Sequence, residues 1–310
     1  EPSQYDGYVA SGGTEANIQA VWVYRNYFIK EKNANVNEIG FLFSEDSHYS
    51  TFKACNLLCV SPIEVNVNRL SRQWDENNLK ERLIEAKNNG IKYLIIQLNM
   101  GTTMFGSVDE PNQILDIVKS EFLDYFVHVD AAFGGFIYPF TSSACQLDFT
   151  NPEISSITID GHKMLQAPYG TGIFLCKKGL IEYAQTEEAS YVQGTDFTLC
   201  GSRSGANAIS VWMILMTHGY NGWEYQMQML IDRTDSVCET LDDLNIKYFR
   251  NSRMNIVTID ADSIDNDLAK KYHLVADDFE NPKWWKIVVM MHVEKHILDE
   301  FLLELKSNNN

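Results

Sequence analysis

Two residues carry most of the chemical information in this chain. Asp130 closes a strand-like run, Tyr125-Phe126-Val127-His128-Val129-Asp130, and Lys163 follows Asp160-Gly161-His162 after a second apolar run, Ile154 to Ile159. A lysine at the end of a buried strand offers a primary amine that condenses with an aldehyde. A carboxylate at the end of a neighbouring strand can keep a heterocyclic nitrogen protonated, which makes a conjugated ring an electron acceptor. Alone, each fits an ordinary structural role, so their meaning rests on what surrounds them.

Three further segments point to the same edge of a sheet. Ser11-Gly12-Gly13-Thr14-Glu15-Ala16-Asn17 opens a helical pattern, where glycines let backbone N–H groups approach an anion and the helix dipole adds positive potential. A plain capping box, with Ser11 or Thr14 as cap, explains the same residues equally well. The spacing is not Gly-x-Gly-x-x-Gly, which disfavours a dinucleotide. His48, in Asp46-Ser47-His48-Tyr49-Ser50, follows a strand, where an imidazole can lie flat on a ring. Gly101-Thr102-Thr103 again places hydroxyls after a strand, and open α/β sheets bind ligands at the carboxyl ends of their strands.

The elements that must position these residues alternate. Apolar runs predict strands at Ile39 to Phe43, Ile63 to Val67, Tyr93 to Leu98, Tyr125 to Asp130, Ile154 to Ile159 and Gly172 to Cys176. Helical spacing predicts helices at Ala16 to Lys30, Tyr49 to Leu58, Asn77 to Lys87 and Pro111 to Phe122, the last with proline in its first turn. After Gly201 the character changes to two long helices, Ala206 to His218 and Trp223 to Leu241. Short strands at Ile246 to Phe249, Asn255 to Ile259 and Trp285 to Met290 follow, then a final helix, Val293 to Leu305. The reading is α/β: residues 1–220 form a large domain around a mostly parallel sheet, and residues 221–310 a small α+β domain.

The ordered motifs Gly-Gly-Thr-Glu-Ala-Asn (12–17), Asp-Ser-His-Tyr-Ser (46–50), His-Val-Asp-Ala-Ala-Phe-Gly-Gly (128–135), Thr-Ile-Asp-Gly-His-Lys-Met (158–164) and Gly-Ser-Arg-Ser-Gly (201–205) give the chain a family likeness. It resembles the group II decarboxylases of amino acids that depend on pyridoxal 5'-phosphate (PLP), above all the archaeal-type tyrosine/aspartate branch, then the bacterial histidine and plant serine enzymes. The resemblance implies PLP fold type I, with a seven-stranded type of sheet, and a homodimer with active sites at the interface. Residue by residue it implies Lys163 as the Schiff-base lysine and Asp130 as partner of the ring nitrogen. It puts His48 on one ring face, Ala132 on the other, and Thr102 or Thr103 near the ring oxygen. Gly13, Thr14 and His162 would hold the phosphate, Asp160 is a further cofactor contact, and Tyr191 is the candidate proton donor. Arg203 is equally a structural ion pair or a substrate contact.

Two departures qualify the resemblance. Glutamate decarboxylases resemble this region with an arginine after Val-Val-Met, whereas Met291 follows Val288-Val289-Met290 here, so glutamate is not the expected substrate. The family also carries a segment ahead of its Gly-Gly-Thr motif; the expectation here is a chain lacking it, as a fragment or an impaired enzyme. The expected substrate is tyrosine, aspartate or histidine-like. Two rival readings stay open: a C–C lyase acting on phosphorylated sphingoid bases, and a degenerate homologue that only dimerises.

Bulk properties set the outer limits. The 310 residues are 45% hydrophobic, enough for a sizeable core, and the net charge of −17 disfavours nucleic acid and anionic membrane. No apolar run is long enough to span a bilayer. The six cysteines lack paired spacing, so a metal site is not expected, and they read as reduced, core or near-core thiols of a cytoplasmic protein.

Overall fold

A computed structural model describes residues 2–142, 144–185 and 194–308. Its main sheet has seven strands: β1 (Tyr5–Ala10), β2 (Ile39–Ser44), β3 (Ser61–Val65), β4 (Tyr93–Asn99), β5 (Tyr125–Asp130), β6 (Ile154–Asp160) and β7 (Gly172–Lys177). Their spatial order is β1-β7-β6-β5-β4-β2-β3. The pairs from β3 through β6 are parallel, whereas β7 runs antiparallel to both β6 and β1. Strands covered on both faces need apolar residues at nearly every position, and β2 and β4 are buried almost throughout.

Helices α1 (Gly13–Lys32), α2 (Ser50–Leu58), α3 (Glu76–Asn88), α4 (Pro111–Glu121) and the single turn α5 (Tyr138–Thr141) cover this sheet. α1 is buried along most of its length, including the polar Asn17 and Gln19. Its Tyr24 stacks on Phe126 at 4.5 Å, and Phe28 packs against Tyr93 and Phe126. α3 is capped by Asp75, which accepts from the N–H groups of Asn77 and Asn78.

The expected pair of helices after Gly201 is present: α6 (Gly205–Asp243) is two helical stretches that meet at a kink at Gly219, where φ is 59° and ψ −177°. Beyond it come β8 (Tyr248–Phe249), β9 (Ile256–Asp260), α7 (Asn266–Lys271), β10 (Val275–Ala276), β11 (Trp284–Val288) and α8 (Lys295–Asn308). These strands form a second sheet, β10-β11-β9-β8, entirely antiparallel. It has its own core of Val237, Leu241, Ile259, Trp285, Leu298 and Phe301.

β1, β10 and α7 were not expected. β1 interrupts its apolar alternation with Asp6 and Gly7, and it holds because the sheet accepts it: a Cβ at residue 7 would sit 2.2 Å from the Phe174 carbonyl. The cysteine expectation needs correction as well. All six are unpaired, but Cys59 and Cys200 are exposed rather than in or near the core. No helix among the described residues is long and apolar enough to cross a membrane.

Candidate active site

Parallel register assembles the site before any side chain is considered. Asn99 on β4 lies opposite Asp130 on β5, and Asp130 lies opposite Thr158 on β6. Two residues earlier His128 lies opposite Ser156. Because side chains alternate along a strand, these two rows share a face. All of these side chains are buried, an unusual concentration of polar groups for a sheet interior.

Above them opens a cleft of about 500 Å³. It brings together Gly13, Thr14, His48, Thr102, Thr103, Asp130, Ala132, Asp160, His162 and Lys163, every described residue that the sequence nominated for cofactor contact. Tyr191 lies outside the described residues. Arg203 does not line the cleft: it lies 4.8 Å from the Tyr8 ring and donates to Thr198 and the Cys200 carbonyl, so it is neither in a described ion pair nor in the cleft.

Asp130 is held by two donors. The Ala132 N–H reaches one carboxylate oxygen at 3.0 Å, and the Asn17 amide reaches the other at 2.7 Å. Lys163 Nζ lies 3.1 Å from Asp160 Oδ2, and His162 Nε2 lies 3.8 Å from the same oxygen. His162 is fixed from behind by its Nδ1 contact with the Thr171 carbonyl, 2.8 Å away. Burial, then the Lys163 charge, lowers the His48 pKa against the opposing pull of Asp130 and Asp160, which favours neutral imidazole. Thr102 turns its hydroxyl inward to Ser107, whereas Thr103 is exposed and offers its carbonyl to Lys286 Nζ at 2.8 Å.

Does this site suit a phosphorylated pyridine aldehyde? No side chain caps α1, so the first-turn N–H groups face the cleft without intrahelical acceptors. Gly12 sits at φ 125°, and a Cβ on Gly13 would lie 3.0 Å from Asp160 Oδ2, so glycine keeps the helix entrance open. Asp160 Oδ1 is buried without a hydrogen-bond partner, and a buried acceptor is costly until a donor reaches it. Anion-binding helix terminus, amine, paired carboxylates and flanking imidazole all fit PLP.

Among the cleft residues that carried no role in the sequence reading are Asn17, Tyr169, Lys286 and Ile256. Asn17 stood inside a recognised motif, and its four-residue spacing from Gly13 puts both on one helix face. Lys286 and Ile256 come from the second sheet, and no local spacing links them to the distant residues of the first.

Fold and site together define a PLP enzyme of fold type I. The pyridoxal-dependent decarboxylase conserved domain matches residues 2–249. A tryptophan decarboxylase of Clostridium sporogenes is 50% identical over 308 residues, covering 99% of this chain and 74% of the relative. A probable L-tyrosine/L-aspartate decarboxylase of Methanosphaera stadtmanae is 31% identical, covering 96% and 76%. Among solved structures, Oryza sativa TDC with PLP and tryptamine superimposes with a TM-score of 0.84 at 14% identity, covering 99% of this chain and 70% of that one. The chain belongs to the pyridoxal-dependent decarboxylase family and is a PLP-dependent amino-acid decarboxylase. Tryptophan was not among the substrates expected from the motifs.

Proposed function

We propose that this chain decarboxylates an aromatic L-amino acid, tryptophan foremost, to the aryl-ethylamine and CO₂. The observation that carries the reading is one cleft uniting Lys163, Asp130 and His48 with the apolar side chains Tyr49, Phe133, Tyr169, Ile256 and Val288. Such a wall favours an uncharged aromatic side chain over a carboxylate. The choice of tryptophan rests on the similarity to the Clostridium sporogenes enzyme.

PLP, when bound, supplies the electron sink for the pair left behind by CO₂. In this reading the α1 entrance, Gly13, Thr14 and His162 would hold the phosphate, and Lys163 would supply the amine that pairs with the aldehyde. Asp130 would serve the ring nitrogen, and His48 and Ala132 would border the ring. Thr102 and Thr103 border its oxygen side. Asp160, 3.1 Å from Lys163 Nζ, would hold that amine in place in the cleft. The aromatic and aliphatic side chains of the cleft would receive and orient the substrate's side chain.

Two further points support assembly and layout. The first half of α6 exposes Ile209, Trp212, Met213, Met216 and Tyr220 on a surface otherwise rich in charge, which favours a second copy of the chain as its cover. The break at Gly219 and the separate core beyond it support a division near residue 220. Six unpaired cysteines favour a reducing compartment, the cytoplasm.

Mass spectrometry of amine products, from purified protein with PLP and single amino acids, tests the function. Tryptamine formed by the intact protein and not by Lys163→Ala is expected. Aspartate belongs in the panel because Lys286 puts a second amine in the cleft. Formation of β-alanine alone would overturn the aromatic assignment.

A further inference from the structure

Behind Asp130 runs a file of buried polar groups that the proposed chemistry leaves unused. Asn17 Nδ2 is 2.7 Å from Asp130 Oδ2, so the amide must turn its NH₂ toward the carboxylate; the flipped amide would set oxygen against oxygen. Asn17 Oδ1 is then the atom 3.0 Å from His128 Nε2, and as an acceptor it requires the imidazole proton on Nε2. His128 Nδ1, left bare, accepts from the Ser156 hydroxyl at 2.7 Å. Ser156 has spent its single proton and therefore accepts the Tyr24 hydroxyl. Thr158 lies 3.2 Å from His128 Nε2 and shares that proton as a second acceptor.

Every donor in the file Tyr24, Ser156, His128, Asn17 points toward Asp130. Aligned hydrogen bonds polarise one another, and bonds donated to a carboxylate favour its charged form. The second Asn17 amide proton goes elsewhere, to Ser50 Oγ at 3.1 Å. Ser50 passes its own proton to His48 Nδ1 at 2.9 Å, and its backbone N–H approaches the same nitrogen at 3.3 Å. His48 is thereby assigned a proton on Nε2, facing away from Ser50. One amide links the two groups read as touching the cofactor ring.

We propose that Asn17 is a positioning residue that, fed by Tyr24, Ser156 and His128, keeps Asp130 ionised toward the ring nitrogen of bound PLP and sets the tautomer of His48. The inference rests on the reading of Asp130 as the ring-nitrogen partner. It assigns roles to Asn17, His128, Ser156 and Tyr24 that the cleft alone does not suggest, since the last three lie behind its wall. The burial of His128, which drives its pKa down to about 4, agrees with the neutral ring that the file requires.

The test is ¹⁵N NMR of protein reconstituted with PLP labelled at the ring nitrogen, together with PLP affinity by absorbance titration. Asn17→Leu and Asn17→Asp both move the nitrogen resonance toward the unprotonated position and weaken PLP binding by about tenfold, the scale of one hydrogen bond to a charge. Asn17→Asp preserves shape but adds a like charge, so it is at least as damaging as Asn17→Leu. Ser156→Ala, a small change remote from the ligand, moves the resonance in the same direction by less. His128→Gln keeps one donor and one acceptor and retains the protonated signal that His128→Leu loses. A protonated signal in Asn17→Leu, or in Asn17→Asp alone, would overturn the inference, because a role in packing alone predicts one of those results. Asp130→Asn separates the two levels: if it too leaves the resonance unmoved, the reading of Asp130 fails, and if it alone shifts the signal, only the role of the file fails.

Discussion

Two buried groups in and beside this site resist their ordinary ionisation in opposite senses, which makes the pH dependence of stability a sharp test. His128 is neutral because burial pushes its pKa from 6.5 down to about 4. Between those values the unfolded chain binds a proton that the fold refuses, so His128 costs stability as pH falls from about 6.5 to 4. Asp109 is the reverse: burial raises its carboxyl from 3.8 to about 7, although Asn99 donates to it from both backbone and side chain. Here the fold keeps a proton that the unfolded chain loses, so stability falls as pH rises from about 4 to 7. At about 1.4 kcal/mol per pH unit, Asp109 contributes about 4 kcal/mol and His128 about 3 kcal/mol, with opposite slopes over the same window. In the intact protein they nearly cancel. Asp109→Asn removes one slope: relative to the parent chain it gains about 3 kcal/mol between pH 4.5 and 7.5. His128→Gln gains a similar amount in the acid direction. Urea unfolding followed by tryptophan fluorescence, on PLP-free protein at one concentration, measures both, and taking differences removes the titration common to all variants. A difference for Asp109→Asn that stays within about 0.5 kcal/mol across that range would refute the reasoning.

Arg72 is buried at 4% exposure, bonded through Nε to Asp46 at 2.9 Å and stacked 3.7 Å from the Phe105 ring. Arg72→Ala strands the Asp46 carboxylate beside the His48 loop and is expected to cost about 3–5 kcal/mol in chemical denaturation, with Arg72→Lys recovering only part. Phe28→Ala empties the aromatic contact of α1 with Tyr93 and Phe126 and costs about 3–5 kcal/mol by the same measurement. Gly13→Ala sets a methyl 3.0 Å from Asp160 Oδ2; absorbance titration is expected to show PLP affinity lowered about tenfold, with unfolding midpoints nearly unchanged.

The legible parts of this chain were those written in local pattern. Long apolar runs marked β2 and β4 to β7 because doubly covered strands have little freedom of composition. Asp130 was legible because it ends such a run, and Lys163 because it follows one by three residues. Asn17, Ser156 and His128 were less so. They are polar residues within buried elements, and their partners are set by register between strands and by the docking of a helix, neither of which a single segment encodes. Lys286 entered the cleft from β11, whose own pattern says only that it is a strand. Short elements such as β10 and α7 fall below the length at which periodicity speaks.

The pairing of β1 with β7 joins residues near position 7 to residues near 175, and Gly172 packs so closely that a Cβ there would meet the Gly12 backbone at 2.5 Å. The glycine entrance of α1, near residue 12, is therefore completed only when a strand some 160 positions later is in place. Contacts of such long sequence separation form slowly, because loop closure must precede their reward. A ribosome-bound chain would carry its recognisable glycine motif long before it owned a cofactor site, and capture of PLP would report that the most distant pairing in the sheet has closed.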